Sequence, residues 1–247
     1  MEKNNEKLKE MKKMSNNIRI HTLKSLTNLG FGHYGGSLSI VETLGVLYGG
    51  VMNLDVNNPN WEERDYFVLS KGHAGPALYS ALALKGFFPL EELMKLNENG
   101  TTLPSHPDRL KTKGVDATTG SLGQGISIAT GIAKSLKMDK KENRVFSIIG
   151  DGEMNEGQCW EAFQFIAHHN LNNLVIFLDY NKQQLDGYLE NIINPFSFEE
   201  KLKSFGFEVR TVKGDDIKAI YEAVKDKRKN NEKPLSGGNY VSSFADK

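Results

Sequence analysis

Five consecutive residues, Ile149-Gly150-Asp151-Gly152-Glu153, set an aspartate between two glycines just past a β-prone run, Arg144 to Ile149. Open α/β sheets bind ligands beyond the carboxyl ends of their strands, so a carboxylate at this place can reach one. The next apolar run, Asn173 to Asp179, ends in the same fashion, in Asp179-Tyr180-Asn181-Lys182-Gln183. If the two runs are neighbouring parallel strands, Asp151 and Asn181 meet. A carboxylate, an amide oxygen and a loop carbonyl form a half-open, all-oxygen coordination set, which suits magnesium when a diphosphate completes the shell. Either segment alone reads more simply as an ordinary strand-end turn, because Gly-Asp-Gly and Tyr-Asn are both turn formers. The pairing of the two is what points to a metal.

A second element is Thr118-Thr119-Gly120-Ser121-Leu122-Gly123-Gln124-Gly125, which leads into a helical pattern over Ile126 to Leu136. Its glycines let backbone approach a ligand, and the helix start offers free N–H groups to a diphosphate. Small residues at Gly125, Ala129 and Ala133 imply close packing against another element, which is also a sufficient reason for the stretch without any ligand. Three histidines lie in Gly- or Pro-flanked loops: His33 in GHYGG, His73 in KGHAG and His106 in SHPD. Near a diphosphate they could donate to phosphate oxygens or handle protons near neutral pH. His21 is mid-helix, and His168 and His169 suit a helix C-terminus. Cys159, beside Trp160, reads as a packing residue. Gly30-Phe31-Gly32-His33-Tyr34-Gly35 matches the dinucleotide fingerprint, but a helical segment rather than a strand precedes it, so that reading is set aside.

The elements that must position these residues alternate. Ile18 to Leu29 has helical spacing, and Ser39 with Glu42 fits a capping box opening a second helix. Tyr66 to Leu69 is a short apolar run, Ala77 to Lys85 a buried helix, and Pro89 opens another helical segment. The buried strand from Arg144 is followed by a helix over Asn155 to His169 and then by the strand ending at Asp179. Phe207 to Val212 reads as a third such strand, ahead of a helix from about Asp215 to Lys227. Strands alternating with helices predict an α/β fold, a doubly wound, mostly parallel sheet with helices on both faces.

The chain has 247 residues, long enough to bury a sizeable core, and 31 Lys+Arg balance 31 Asp+Glu. A neutral chain argues against a nucleic-acid partner held by phosphate neutralisation. One cysteine excludes an internal disulfide framework. The longest strongly apolar run, Leu174 to Leu178, is far short of the about 20 residues that span a bilayer, so no membrane role is expected. The start has the charge of a signal peptide without an apolar stretch behind it, and the expected location is cytoplasmic. Residues 1–14 read as a charged, solvated helical extension, 15–234 as one α/β domain and 235–247 as an atypical polar tail.

GHYGGSLS, LSKGHAGPALYS, the His106-Pro107 pair, GVDATTGSLGQGISIATGIA, GDGEMNEGQCWEA and LDYNKQQLDG occur in the order, and at about the spacing, of the transketolase family. The resemblance covers about residues 15–234 and is closest to the split bacterial form, in which a short N-terminal subunit carries the thiamine diphosphate-binding domain of the pyrophosphate type. It implies transfer of a two-carbon ketol unit from a ketose phosphate to an aldose phosphate, with thiamine diphosphate and Mg2+ (or Ca2+ or Mn2+) as cofactors. Carried over by motif, Asp151, Asn181 and the Gln183 carbonyl would hold the metal, and Gly152 would lie against the diphosphate. Asn181, His73 and the Gly120-Ser121-Leu122 backbone would touch the cofactor, while His33 and His106 would act on the sugar phosphate. Glu156 and Glu161 match interface carboxylates, and the implied partner is a C-terminal transketolase subunit carrying the pyrimidine-binding domain, in a dimer or an α2β2 heterotetramer. Alternatives that stay open are a ketol transferase for an unusual sugar, such as a branched pentose or a sulfosugar, and a truncated non-catalytic protein that only forms complexes. Tyr180 and Ser121 depart from residues common in the family. After Lys233-Pro234 the tail LSGGNYVSSFADK does not resemble the expected strand and active-site loop.

Overall fold

The computed structural model describes residues 2–225. The expected strand beyond Pro234, the tail 235–247 and the last two residues of the helix expected to reach Lys227 lie outside the described residues.

The chain opens with α1 (Glu2–Leu29), followed by the short helices α2 (Tyr34–Leu38) and α3 (Val41–Val46). Then come β1 (Tyr66–Leu69), α4 (Gly75–Lys85), α5 (Gln124–Met138), β2 (Val145–Gly150), α6 (Gly157–His168) and β3 (Leu174–Asp179). A small antiparallel hairpin, β4 (Gln183–Gln184) and β5 (Gly187–Tyr188), leads to α7 (Leu189–Ile192), α8 (Phe198–Ser204) and α9 (Ile217–Val224).

β1, β2 and β3 form one parallel sheet in that order, with Leu69 opposite Ile148 and Gly150 opposite Asp179. Successive side chains of a strand point to opposite faces, and the burial follows that period of two. Phe67, Leu69, Phe146, Ile148, Val175 and Phe177 pack on one side with Met11, Ile18 and Leu26 of α1, Leu44 of α3, Leu82 of α4 and Ile220 of α9. Val68, Val145, Ile149, Leu174, Ile176 and Leu178 pack on the other with Ile126 and Ala129 of α5, Phe163 and Ile166 of α6, and Phe198 of α8. Every residue of β2 and β3 is buried, the pattern expected of strands covered on both faces. The expected α/β architecture with helices on both faces is therefore present.

Four local expectations need correction. The charged start is helical and its Glu6, Lys9, Glu10, Lys12 and Lys13 are exposed, as expected, but α1 runs unbroken from Glu2 and buries Met11, so the start packs on the core rather than standing apart as an extension. Ser39 is not a helix N-cap: it follows α2, its hydroxyl donates to Asp179 Oδ2 at 2.6 Å, and Glu42 pairs with Arg19. A 3-10 turn over Glu153–Asn155 precedes α6, so Asn155 to His169 is not one helix. Phe207 to Val212 pairs with no strand among the described residues, and side-chain bonds tie it to its surroundings. The Thr211 hydroxyl donates to Glu199 at 2.9 Å, and Arg210 donates to Glu208 and to the Ala223 carbonyl. Phe207 is nonetheless buried against the α6 side. The Gly30-to-Gly35 fingerprint does follow a helix, which rules out its dinucleotide-binding meaning.

Candidate functional site

Because the three strands are parallel, their carboxyl ends open on one edge, and each delivers a different group there. β1 runs into Ser70-Lys71 and a 3-10 turn over Gly72–Ala74 that carries His73. β2 ends at Gly150 and presents Asp151, and β3 ends at Asp179 and presents Asn181. The Asp151 N–H donates to the Asp179 carbonyl at 3.1 Å, so the two expected strand ends are adjacent. A cavity of about 750 Å3 opens on this edge, and His33, His73, His106, Gly120, Leu122, Asp151, Gly152, Asn181 and Gln183 all line it. Of the residues singled out from sequence, Ser121 is exposed beside the cavity, and Glu156 and Glu161 are exposed at and within α6, away from it.

The Asp151 carboxylate is buried and accepts backbone N–H bonds from Gly152 at 2.8 Å and Lys182 at 2.7 Å. Burial, followed by repulsion from the Asp179 carboxylate, pushes it up to about 7. Asn181 Oδ1 accepts from the Gln183 N–H at 3.0 Å, and its Nδ2 lies 3.4 Å from Asp179 Oδ2.

The three histidine rings cluster, with His33 5.1 Å from His73 and 6.5 Å from His106 between centroids. Burial, with help from the nearby Lys71 ammonium and the other two rings, lowers His73 to about 3. Burial and His33 lower His106 as well. Both are neutral imidazoles near pH 7, able to accept a proton at one ring nitrogen and donate at the other. The two loops that bring them together touch through backbone: a Cβ on Gly72 would sit 2.7 Å from the Gly120 nitrogen, which only glycine allows. Gly125 likewise lies against Ser70, the close helix packing expected from Gly125, Ala129 and Ala133. Cys159 is buried, and burial pushes its thiol up to about 12, which fits an inert packing residue.

Sequence reading missed the cavity floor. Lys71 is 1% exposed, yet its Nζ lies 2.5 Å from Asp179 Oδ2 and 3.3 Å from the Ser39 hydroxyl, which also donates to Asp179. Glu153 is as deeply buried and accepts bonds from three separate segments. Adjacent residues at the end of β1, Ser70 and Lys71, thus anchor two different buried carboxylates. The available signal was the placement of Lys71, Glu153 and Asp179 directly at the ends of apolar runs, where a charged side chain has no water to face.

The sequence profile of the transketolase thiamine diphosphate-binding domain matches residues 10–236. The chain is 50% identical over 226 residues to a 6-deoxy-6-sulfo-D-fructose transketolase subunit of Clostridium sp. (strain MSTE9), covering 91% of this chain and 82% of that protein. It is 37% identical over 194 residues to an apulose-4-phosphate transketolase subunit of Actinobacillus succinogenes, covering 78% of this chain and 70% of that one. Among solved structures, a transketolase mutant from Pichia stipitis superposes with a TM-score of 0.87 at 31% identity, over 94% of this chain and 36% of that one. Transketolase from Campylobacter jejuni gives 0.86 at 28% identity, over 96% and 38%. The likeness therefore spans most of the two short relatives but about a third of a full transketolase, and the chain belongs to the transketolase family, corresponding to its N-terminal, thiamine diphosphate-binding part.

Proposed function

We propose that the chain is the diphosphate-binding subunit of a heteromeric transketolase, which with Mg2+ and thiamine diphosphate moves a two-carbon ketol unit from a ketose phosphate to an aldose phosphate. The observation that carries this reading is the meeting of Asp151, Asn181 and the three loop histidines on one cavity at the carboxyl edge of a parallel sheet.

The residues fit the absent group. Asp151 is a buried carboxylate raised by burial and by the Asp179 carboxylate, a place where a divalent cation would be stabilised, and the proposed ligand atoms are all oxygen, as magnesium prefers. Gln184 lines the cavity, and its buried Nε2 has no hydrogen-bond partner among the described residues. It lies against Gly152, where a Cβ would approach the Gln184 Cβ to 3.1 Å, so side-chain-free backbone and a spare donor face the same space.

On this reading Asp151, Asn181 and the main-chain carbonyl of Gln183 hold the cation; Ca2+ or Mn2+ would serve the same oxygens. Gly152, His73 and the Gly120-Ser121-Leu122 backbone receive the cofactor. Thiamine diphosphate, when bound, supplies the electron sink for carbon–carbon bond cleavage and formation. His33 and His106 bind the sugar hydroxyls and move protons at their ring nitrogens, and the neutral state of His106 near pH 7 leaves it free to accept one. Glu156 and Glu161 face the partner subunit, which carries the remaining domain, in a dimer or α2β2 heterotetramer. We place the protein in the cytoplasm; no helix among the described residues is long and apolar enough to cross a membrane.

The 50% identical relative supports a second reading, in which the same chemistry acts on a sulfosugar. Comparing 6-deoxy-6-sulfo-D-fructose, apulose 4-phosphate and an ordinary ketose phosphate as donors, with the partner subunit present, separates the two. The cofactor assignment is tested by calorimetric titration of the chain with thiamine diphosphate, with and without Mg2+. Asp151→Ala should abolish the Mg2+-dependent part of binding, with some loss of stability from the Gly152 and Lys182 N–H donors it leaves unmet, and Mg2+-dependent binding that survives it in a folded variant would overturn the metal assignment.

A further inference from the structure

Glu153 closes the turn that carries Asp151 and Gly152. It is 2% exposed, and its carboxylate accepts from three donors on three segments of the chain. The Ser70 hydroxyl, just past β1, donates to Oε1 at 2.6 Å. The Gly123 N–H, at the start of α5, donates to the same oxygen at 2.8 Å. The Gly150 N–H, at the end of β2, donates to Oε2 at 3.1 Å. The nearby Lys71 ammonium is committed to Asp179 and Ser39. Burying a carboxylate is costly unless its lone pairs are met, and an apolar residue of similar size would fill the volume without that cost. What the carboxylate adds is a three-way tether among the segments bearing His73, Gly120–Leu122 and Asp151–Gly152.

We infer that Glu153 is a positioning residue that holds the Gly120–Leu122 loop and the Asp151–Gly152 turn in one arrangement, so that a diphosphate and its cation meet both at once. The inference rests on the cofactor reading above. Its chemistry is specific to a carboxylate. The two backbone N–H groups sit on opposite oxygens, and a glutamine has one carbonyl oxygen, so either amide orientation turns an NH2 group toward a backbone donor. An unmet buried backbone donor destabilises the arrangement that creates it, and the two segments separate to reach water or another acceptor.

The test is calorimetric titration of the full chain with thiamine diphosphate, with and without saturating Mg2+, in wild type and Glu153→Gln, beside thermal melts of both. The expected result is an affinity about ten-fold lower in the variant, the usual scale for removing a group that orients ligands. The strengthening of binding by Mg2+ should also shrink, because cation and diphosphate are no longer presented together. A merely structural role would lower the melting temperature and leave that Mg2+ ratio as in wild type. A folded Glu153→Gln with affinity and Mg2+ ratio within about two-fold of wild type would overturn the inference. Should Glu153→Gln not fold, Ser70→Ala decides: it removes one donor and keeps both backbone donors, and a loss of about three-fold supports the tether while unchanged binding refutes it. Wild-type chain that binds no thiamine diphosphate at all would defeat the cofactor reading itself, and this inference with it.

Discussion

Lys71 and Asp179 form a buried ion pair under the cavity, and its energetics run against intuition. Such a pair costs desolvation on both sides, but deleting one partner strands the other charge, at about 3–5 kcal/mol. Lys71→Met is therefore expected to be strongly destabilising in a denaturant titration, and Lys71→Met combined with Asp179→Asn to recover most of the loss. A double variant no more stable than the single one would show that the pair is not the reason for the burial. His73 gives a second residue-scale prediction. Its folded value is lowered to about 3, against about 6.5 for an unfolded histidine. Between those values the unfolded chain binds a proton that the folded chain does not. The contribution to stability is thus full above pH 6.5 and declines as pH falls toward 3. The His73 ring resonances should stay flat in NMR spectra from about pH 8 to 5, and a titration near 6.5 would contradict the burial argument. His73→Gln should flatten the acid side of the stability profile.

At the scale of elements, the packing of α5 against the end of β1 decides where the Gly120–Leu122 loop stands. Alanine in place of Gly125 would favour a helix by about 1 kcal/mol. Its Cβ, however, would come within 2.4 Å of the Ser70 Cα, a backbone atom that cannot rotate away. Overpacking of this kind costs about 1–3 kcal/mol, so the clash outweighs the propensity. Gly125→Ala is expected to lower stability by about 1 kcal/mol or more and to weaken thiamine diphosphate binding through displacement of the loop. A stabilised variant would mean that the helix shifts freely, and that the loop is positioned by something else. The long α1 follows the same logic from the other face: Met11, Ile18 and Leu26 each present an apolar side to the core while Glu10, Lys12 and Lys13 face solvent.

For the whole molecule, the chain covers about a third of a full transketolase. The isolated chain is expected to bind the cofactor weakly and to transfer no ketol unit, with activity appearing on mixing with a C-terminal subunit. Full activity of the purified chain alone would defeat the two-subunit reading. Glu156 and Glu161 are exposed here, so Glu156→Gln and Glu161→Gln should leave the stability of the lone chain within about 0.5 kcal/mol and affect only the assembled enzyme.

The sequence by itself located the strand ends at Gly150 and Asp179 and the residues that follow them, because an apolar run stopped by Gly-Asp-Gly or Asp-Tyr-Asn is a local pattern with a local cause. The alternation of those runs with helical segments was enough for the α/β architecture and for the adjacency of Asp151 and Asn181. Local pattern failed where a partner far along the chain decides. Ser39 with Glu42 satisfies a capping box on paper, but Asp179, 140 positions away, takes the Ser39 hydroxyl, and Arg19 takes Glu42. Phe207 to Val212 has the composition of a strand, but no neighbouring strand pairs with it among the described residues. Lys71, Glu153 and Asp179 look like surface charges until the fold buries them together. Hydrophobic period and turn chemistry act between near neighbours and can be read from the chain, whereas the burial and pairing of charge depend on which distant segments the tertiary structure brings within about 3 Å.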